Sequence, residues 1–171
     1  MKKAVTIRPA RREDCPGILE IYNEAVLNTT ATYDYEPSTL DRRIEWFDAH
    51  QRDQYAIWVA EAADDQHHSR VVGWSSLNQY HDRPGYRFTA GNSIYIAPDW
   101  RGQGLGNQLI PPLIDSARER GLHAIIAVID AANEASLRLH ARHGFERVAY
   151  FREVGFKFGR WLDVIDMQQI V

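Results

Sequence analysis

The sequence predicts an α/β protein built on one mixed β-sheet. In chain order, the local patterns indicate strand, helix, helix, three strands, helix, strand, helix and two closing strands. Two helical crossovers within a strand-rich order favour a mixed sheet over a purely doubly wound one. The run from Ala124 to Ile129 is continuously apolar, as expected for a strand covered on both faces.

Length and composition are those of an ordinary globular protein. The 171 residues predict one domain, 1–171, with a sizeable core, and the hydrophobic share is 44%. The net charge of −3 gives no basic field for nucleic acid. The N-terminal segment has no signal-peptide pattern, and no apolar stretch reaches membrane-spanning length. With Cys15 as the single cysteine, no internal disulfide forms, so we expect a cytoplasmic protein.

The first half of the chain begins with a strand over Ala4–Arg8. A helix follows Asp14, a possible cap, with Pro16 in its first turn. Ser38 or Thr39 caps the next helix. The apolar stripe of that helix is Leu40, Ile44 and Phe47. Strands are expected at Tyr55–Glu61 and Val71–Leu77. Loops are expected at Asn28–Pro37 and Asn78–Arg87.

The segment between the last two of these strands predicts a solvated hairpin tip. It contains the adjacent pair His67 and His68, which could belong to a metal site. No further cluster of ligand residues supports such a site, so we expect no metal.

The second half opens with a strand over Ser93–Ala97, which Pro98 ends because proline has no N–H to donate. A helix should run from Gly104 to about Arg120. Pro111 and Pro112 lie inside it and predict a kink or a short first segment. The remaining elements are a strand at Ala124–Ile129, a helix at Asn133–His143 closed by Gly144, and strands at Phe145–Tyr150 and Trp161–Gln169.

The segment Arg101-Gly102-Gln103-Gly104-Leu105-Gly106 stands between a predicted strand and a predicted helix. Glycines let backbone N–H groups turn toward one point at a helix N-terminus, where a phosphate or pyrophosphate binds. The segment lacks the Gly-Lys-Ser/Thr ending of a Walker loop and the G-x-G-x-x-G spacing of a dinucleotide loop. A Gly-rich turn without a ligand remains the alternative.

The pattern Arg-x-x-Gly-x-Gly after a strand resembles the acetyl-coenzyme A loop of the GNAT N-acetyltransferase superfamily. The segment Asn133-x-x-Ser136-x-x-x-His140-x-x-x-Gly144-Phe145 resembles the second cofactor motif of that superfamily. Within it, the chain is similar to the phosphinothricin and methionine sulfoximine acetyltransferases. The matching pieces are Ile21 to Asn23, Glu36-Pro37, Glu45 to Phe47, Arg101 to Gly106, Val128-Ile129 and Val154 to Asp163.

The resemblance implies the GNAT fold, a central twisted mixed sheet flanked by about four helices, and direct acetyl transfer from acetyl-CoA to an amine in a ternary complex. No metal and no covalent enzyme nucleophile are needed. The backbone of Ile94 and Ile96 would pair with the pantetheine arm. The implied cofactor-binding residues are Ile94, Tyr95, Ile96, Arg101, Gly102, Gln103, Gly104, Leu105, Gly106, Asn133 and Ser136.

The implied catalytic residues are Asn133, His140 and Glu36. Asn133 and Ser136 would face the pantetheine and the sulfur, although Asn133 also fits a helix cap. His140 occupies the place where many members carry a tyrosine that protonates the thiolate; a packing histidine is the alternative. Relatives commonly place a general-base glutamate where this chain has Gly91. Glu36 is a substitute by position, or else a carboxylate that caps loop N–H groups.

The implied acceptor is a small amino-acid-like amine such as phosphinothricin, methionine sulfoximine or methionine sulfone. Arg83 would bind its anionic group as a bidentate fork. The predicted substrate-binding residues are Tyr33, Arg83, Tyr86, Phe156 and Lys157. The aromatic segment Val154–Trp161 and the resemblance predict a homodimer. Two alternatives stay open: acetylation of a polyamine or a protein N-terminus, and a weakly catalytic module that senses coenzyme A.

Overall fold

A computed structural model of the chain describes residues 4–63 and 69–171, and the element order is the predicted one. The strands are β1 (Val5–Pro9), β2 (Ile57–Ala63), β3 (Ser69–Gln79), β4 (Thr89–Ile96), β5 (Ala124–Asp130), β6 (Glu146–Lys157) and β7 (Arg160–Ile170). The helices are α1 (Cys15–Asn28), α2 (Leu40–Arg52), α3 (Leu105–Glu119) and α4 (Glu134–Arg142). His67 and His68, with the rest of the predicted hairpin tip at 64–66, lie outside the described residues.

All seven strands form one sheet in the order β1-β2-β3-β4-β5-β7-β6. The pair β4–β5 is parallel, and the other neighbouring pairs are antiparallel. The sheet is therefore mixed, as predicted. β4 and β5 pair only at Thr89–Gly91 with Ala124–Ile126. Beyond Gly91 the two strands separate, and this gap positions the candidate site.

The helices cover the two faces of the sheet. One core contains Leu113, Ile114 and Ala117 of α3 and Leu137 of α4, together with side chains of β5 such as Ile125. A second core contains Ile18 and Ile21 of α1 and Phe47 of α2, packed on Val59 and Trp74. Six of the seven β5 residues are buried and Val128 is 64% exposed, so the sequence of this strand is apolar without a regular alternation. Cys15 belongs to the second core and is fully buried.

Several local expectations need correction. The Asp14 side chain does not cap α1 but accepts from the Arg11 N–H at 2.7 Å and from the Arg8 guanidinium at 2.8 Å. Leu40 is 41% exposed because it begins α2 at the loop end, while Thr39 is the residue whose side chain caps this helix. The predicted boundary after Tyr150 is wrong, because β6 continues to Lys157 and forms one long hairpin with β7.

Pro111 and Pro112 do not break α3, and the predicted short first segment is not seen. Both prolines lie within the helix, which continues to Glu119. Proline removes an N–H from the helical ladder, and the burial of Ile110 and Leu113 against the sheet compensates for this loss. The Ser75 hydroxyl of β3 also donates to the carbonyl of Leu109 at 3.1 Å.

In the described part of the chain, no helix is both long enough and apolar enough to cross a membrane.

Candidate active site

The separation of β4 from β5 leaves one edge of β4 without a strand neighbour. From Asn92 to Ile96, β4 pairs only with β3, through the register Leu77–Asn92 to Gly73–Ile96. The other edge lines two clefts, of about 960 and 200 Å³. An extended chain that carries amide groups can pair with such an edge as an added strand.

The larger cleft runs from this edge to the start of α3. It is lined by ten of the eleven predicted cofactor-binding residues: Ile94, Tyr95, Ile96, Arg101, Gly102, Gly104, Leu105, Gly106, Asn133 and Ser136. The exception, Gln103, is exposed and donates to the carbonyl of Asp99 at 2.6 Å. The structure therefore brings the predicted set together around one cleft.

The glycine loop has the conformation that its sequence predicts. Gly102 and Gly104 have φ values of +72° and +85°, in the left-handed region that favours glycine. Gly104 precedes the first residue of α3, so the first N–H groups of that helix open toward the cleft. A Cβ at Gly106 would lie 2.6 Å from Leu139 of α4, which explains a glycine there by close helix packing.

Arg101 is held beside the loop by its own contacts. Its Nε donates to the carbonyl of Ile96 at 3.0 Å, and its guanidinium forms an ion pair with Glu24 of α1. The side chain is 44% exposed at the cleft. It can therefore supply positive charge to an anion at this end of the cleft.

Asn133, Ser136 and His140 lie on one face of α4, where both clefts end. The Asn133 side-chain oxygen accepts from the Ser136 N–H at 3.1 Å, so this residue is the N-cap of the helix. His140 Nδ1 lies 2.9 Å from the Ser136 carbonyl, and His140 Nε2 lies 3.0 Å from Asn92 Nδ2. Since the carbonyl can only accept, Nδ1 donates and Nε2 accepts from the amide.

His140 is 2% exposed and packs edge-on against Phe145. Burial lowers the pKa of His140, the bond to the Ser136 carbonyl opposes this shift, and the nearby His143 adds to it. The imidazole is therefore neutral near pH 7, and both ring nitrogens have protein partners. This arrangement suits a group that holds Ser136 and Asn92 in place.

The two positions considered for a general base, Gly91 and Glu36, bring no carboxylate to the two clefts along β4. Gly91 is in β4, at the last position that pairs with β5, and a Cβ there would meet only backbone oxygens at 3.9 Å. Glu36 is exposed in the loop after α1 and lines none of the four clefts found among the described residues.

Three of the predicted substrate-binding residues meet around the loop after α1. Lys157 is 3% exposed, and its ammonium donates to the carbonyls of Thr29 and Thr32 at 2.8 and 2.7 Å. The ring of Tyr33 covers Gly155 so closely that a Cβ there would lie 2.3 Å from it. Phe156 packs on Trp161, and its carbonyl accepts from the Tyr35 hydroxyl.

The structure does not bring Arg83 and Tyr86 to these residues. Both are exposed on the loop between β3 and β4, where Arg83 precedes a short 3-10 turn at Pro84–Tyr86. Tyr86 packs against His81 and Tyr80 of the same loop. Neither residue lines the two clefts along β4, the cleft beside Trp74 or the cleft beside Phe156.

Sequence reasoning missed two buried ionisable residues. Asp130 ends β5, is 6% exposed and lines the smaller cleft. Arg43 of α2 is 6% exposed between the rings of Tyr22 and Trp46, at 4.5 and 4.6 Å from their centroids. Its Nε is buried with no hydrogen-bond partner in residues 4–63 and 69–171. No spacing in the sequence marks either residue, because the fold alone gives them their surroundings.

The sequence model of the acetyltransferase (GNAT) family matches residues 18–145, more than half of the chain. The L-methionine sulfoximine/L-methionine sulfone acetyltransferase of Pseudomonas paraeruginosa is 46% identical over 96% of this chain and 94% of its own length. The phosphinothricin N-acetyltransferase of Streptomyces coelicolor is 38% identical over 94% and 92% of the two chains.

Solved structures agree with these sequence relatives. An acetyltransferase from Salmonella typhimurium, determined with its cofactor acetyl-CoA, has a TM-score of 0.93 and 41% identity, and the match covers 98% of this chain and 94% of the other. A GNAT superfamily phosphinothricin acetyltransferase from Sinorhizobium meliloti in complex with acetyl-CoA has a TM-score of 0.91 and 35% identity, over 98% and 88%. These findings confirm the predicted fold, the cofactor acetyl-CoA and the class of acetyl-CoA-dependent N-acetyltransferase. The chain belongs to the GNAT family of acetyltransferases.

Proposed function

We propose that this enzyme transfers the acetyl group of acetyl-CoA to the primary amine of a small amino-acid-like acceptor, such as methionine sulfoximine, methionine sulfone or phosphinothricin, by direct attack in a ternary complex. The observation that carries the proposal is the unpaired edge of β4 from Asn92 to Ile96, beside the glycine loop at the start of α3. The acceptor class rests on the names of the relatives, which are 46% and 38% identical.

The cleft suits acetyl-CoA along its whole length. The backbone of Ile94 and Ile96 would pair with the amides of the pantetheine arm, and the N–H groups from Gly102 to Gly106, with Arg101, would hold the pyrophosphate. When bound, acetyl-CoA supplies an activated acyl group with a thiolate as leaving group.

Residues 1–171 would act as one catalytic domain.

The residues of α4 would align the reacting end of the cofactor. The Asn133 oxygen is engaged in the helix cap, so the other side-chain atom of its amide, Nδ2, would donate into the cleft. The Ser136 hydroxyl would bind near the sulfur, and His140 would fix its orientation. For His140 this geometry supports a positioning role over direct proton transfer, since both ring nitrogens have partners. Glu36 would act only if its loop moved toward the cleft.

The acceptor would lie between the aromatic loop after α1 and the β6–β7 hairpin. Tyr33 and Phe156 would form its walls, and Lys157 would hold the loop through the carbonyls of Thr29 and Thr32. Arg83 and Tyr86 lie outside this pocket on the loop between β3 and β4, so Arg83 would bind the carboxylate as a bidentate donor only if that loop moved toward the acceptor.

We also propose a cytoplasmic homodimer. The β6–β7 hairpin exposes seven large apolar side chains: Val148, Tyr150, Phe151, Val154, Phe156, Phe158 and Trp161. A patch of this composition on an edge hairpin is typical of a protein interface.

Steady-state turnover with detection of the free thiol tests the proposed reaction. The panel contains methionine sulfone, methionine sulfoximine, phosphinothricin, spermidine and a peptide with a free N-terminus. We expect the three amino-acid analogues to have the highest kcat/KM. A preference for spermidine or the peptide would favour the alternative acceptors, and tight acetyl-CoA binding without turnover would favour a sensor module.

A further inference from the structure

Two buried oxygen atoms, Oδ2 of Asp130 and the hydroxyl of Tyr33, lie near each other, and Asp130 lines the smaller cleft. Asp130 Oδ1 accepts from the N–H of Ala132 at 2.7 Å. Its other oxygen, Oδ2, and the Tyr33 hydroxyl are both buried and, apart from each other, have no partner among the residues that the structure describes. Burial raises the pKa of the Tyr33 hydroxyl to about 12, with smaller contributions from the charge of Asp130, from a hydrogen bond to its carboxylate and from the charge of Asp163.

Buried polar atoms in proteins nearly always have a hydrogen-bond partner, and a carboxylate oxygen can only accept. Asp130 is 6% exposed, and no cation forms an ion pair with it in the described ranges. An ammonium group carries one positive charge and several N–H donors. It would therefore satisfy both the carboxylate oxygen and the tyrosine oxygen.

The position of Asp130 fits an acceptor amine. The smaller cleft, about 200 Å³, is lined by Asp130 of β5, by Ser93 and Ile94 of β4, and by Ser136 of α4. It adjoins the end of the cofactor cleft where Asn133 and Ser136 would hold the thioester, because these two residues line both clefts. An amine at Asp130 is thus next to the proposed reacting carbon.

Asp130 is the acid that the smaller cleft offers. Among the described residues that line this cleft, Asp130 is the only one with a carboxylate. Gly91 of β4, which has no side chain to take a proton, pairs with Ile126 of β5, the strand that ends at Asp130.

We propose that Asp130 binds the ammonium group of the acceptor through Oδ2 and takes a proton from it, with the Tyr33 hydroxyl as a second contact. One proton passes from the ammonium to Asp130, which becomes a neutral acid. The nitrogen lone pair forms the bond to the acetyl carbon while the carbon–sulfur bond breaks. The second nitrogen proton leaves with the sulfur as the free thiol, and Asp130 returns its proton to solvent. The inference rests on the proposed acetyl transfer.

Asp130→Asn tests the inference, because the amide keeps the acceptor for the Ala132 N–H and removes only the charge. In the 171-residue enzyme with methionine sulfone, we expect kcat/KM to fall about a hundredfold, while the Kd of acetyl-CoA and the melting temperature stay unchanged. Tyr33→Phe should lower kcat/KM about threefold to tenfold, because it removes only the second contact.

Asp163→Asn is the matched control. Asp163 of β7 is a neighbouring carboxylate whose oxygens already accept from the Tyr150 hydroxyl and from the N–H of Glu153. We expect this variant to keep the wild-type kcat/KM, since its carboxylate does not line the cleft.

A relocated carboxylate gives the sharpest readout. A side chain at Gly91 would meet only backbone oxygens at 3.9 Å, and its φ lies outside the left-handed region. Gly91→Glu in the Asp130→Asn background should therefore recover about tenfold or more of the lost kcat/KM. A structural role of Asp130 predicts no such rescue.

The outcomes separate this inference from the proposed function. If the wild-type enzyme acetylates methionine sulfone and Asp130→Asn does so equally well, the inference is wrong and the acetyl transfer stands. If Asp130→Asn loses acetyl-CoA affinity or melts much earlier, its role is structural and the inference also fails. If the wild type acetylates no amine of the panel, both the function and the inference fall.

Discussion

The side-chain amide of Asn92 lies 3.0 Å from Nε2 of His140 and joins the open edge of β4 to α4. The opposite ring nitrogen binds the Ser136 carbonyl one turn earlier in the helix. The imidazole thus connects the strand edge that would pair with pantetheine to the helix that would hold the thioester. A neutral ring is required, because protonated Nε2 could not accept from the amide.

Acid should therefore destabilise the protein through His140. Burial lowers the pKa of His140 in the folded state, below the value of about 6.5 in an unfolded chain. Below pH 6.5 the unfolded state binds more protons, so the free energy of unfolding falls as the pH falls, by up to about 1.4 kcal/mol per pH unit. Urea titrations at pH 5 to 8 should show this slope, and His140→Gln should reduce it.

His143→Gln is the matched control for this slope. The pKa of His143 is also lowered, first by burial, but this residue is only half-buried and bonds to Asn107. The control should keep most of the acid slope. If both variants showed the wild-type slope, another titrating group would carry the acid sensitivity.

Gly104 should matter for acetyl-CoA through its backbone. A Cβ there meets no atom within 4 Å, but the φ of +85° strains any other residue. Gly104→Val should therefore disturb the N–H groups at the start of α3 and weaken acetyl-CoA at least tenfold, ~1.4 kcal/mol. Calorimetry on the folded variant measures this Kd. Gly85→Val is the control, at an equally open glycine without positive φ, and this variant should bind acetyl-CoA with the wild-type Kd. An unchanged Kd in the Gly104→Val variant would contradict the prediction.

The sequence was sufficient for the element order and for the glycine loop. These two features follow from local signals: the period of apolar residues, the cap at Thr39, and the glycines of a strand-to-helix turn. The other predicted cofactor residues, on β4 and α4, came from the resemblance to the GNAT family. The cofactor residues are predictable because they occupy two short segments. They become neighbours as soon as α3 and α4 pack on one sheet face.

The acceptor side was less predictable because it depends on long-range contacts. The family resemblance predicts that Lys157 contacts the acceptor, yet its ammonium is buried against carbonyls more than a hundred positions earlier in the chain. No pattern in the sequence marks Asp130, and only the fold places it near Tyr33. The β6–β7 hairpin extends past its predicted end because a register shift between Phe151 and Gly155 restores the pairing.

Arg83 should control acceptor affinity if it binds the carboxylate. Arg83→Ala should raise KM for methionine sulfone about tenfold or more and leave KM for acetyl-CoA unchanged. Arg83→Lys should restore only part of the lost acceptor affinity, because lysine lacks the bidentate fork of donors. Arg87→Ala is the control on the same loop, where the guanidinium lies 4.3 Å from the Phe88 ring centroid. If Arg83→Ala changed nothing, the buried guanidinium of Arg43 would be the next residue to test, as Arg43→Met.

Lys157 should stabilise the loop after α1. Lys157→Met fills the same space but leaves the carbonyls of Thr29 and Thr32 without their donor. We expect a loss of about 2–3 kcal/mol in the free energy of unfolding, and a higher KM for the acceptor because Tyr33 lies on this loop. Urea denaturation measures the first effect. Tyr35→Phe is the control, which removes one exposed hydroxyl and should lower the free energy of unfolding by less than about 1.5 kcal/mol. An equal loss of unfolding free energy in both variants would argue against a special role for Lys157.

The exposed face of the β6–β7 hairpin should hold two copies of the chain together. Trp161 is 63% exposed although it packs on Phe156, and Val154 is 59% exposed on the same hairpin. Water contact with such large apolar side chains is unfavourable, so a partner surface that covers them gains stability in proportion to the area removed from water. Light scattering should give twice the 19.7 kDa chain mass at micromolar concentration. Trp161→Glu should yield monomers, because a buried carboxylate at a symmetric interface would meet its own copy. Leu40→Glu is the control, at an exposed leucine on α2, and this variant should remain dimeric. A monomer mass for the wild-type protein would contradict the prediction.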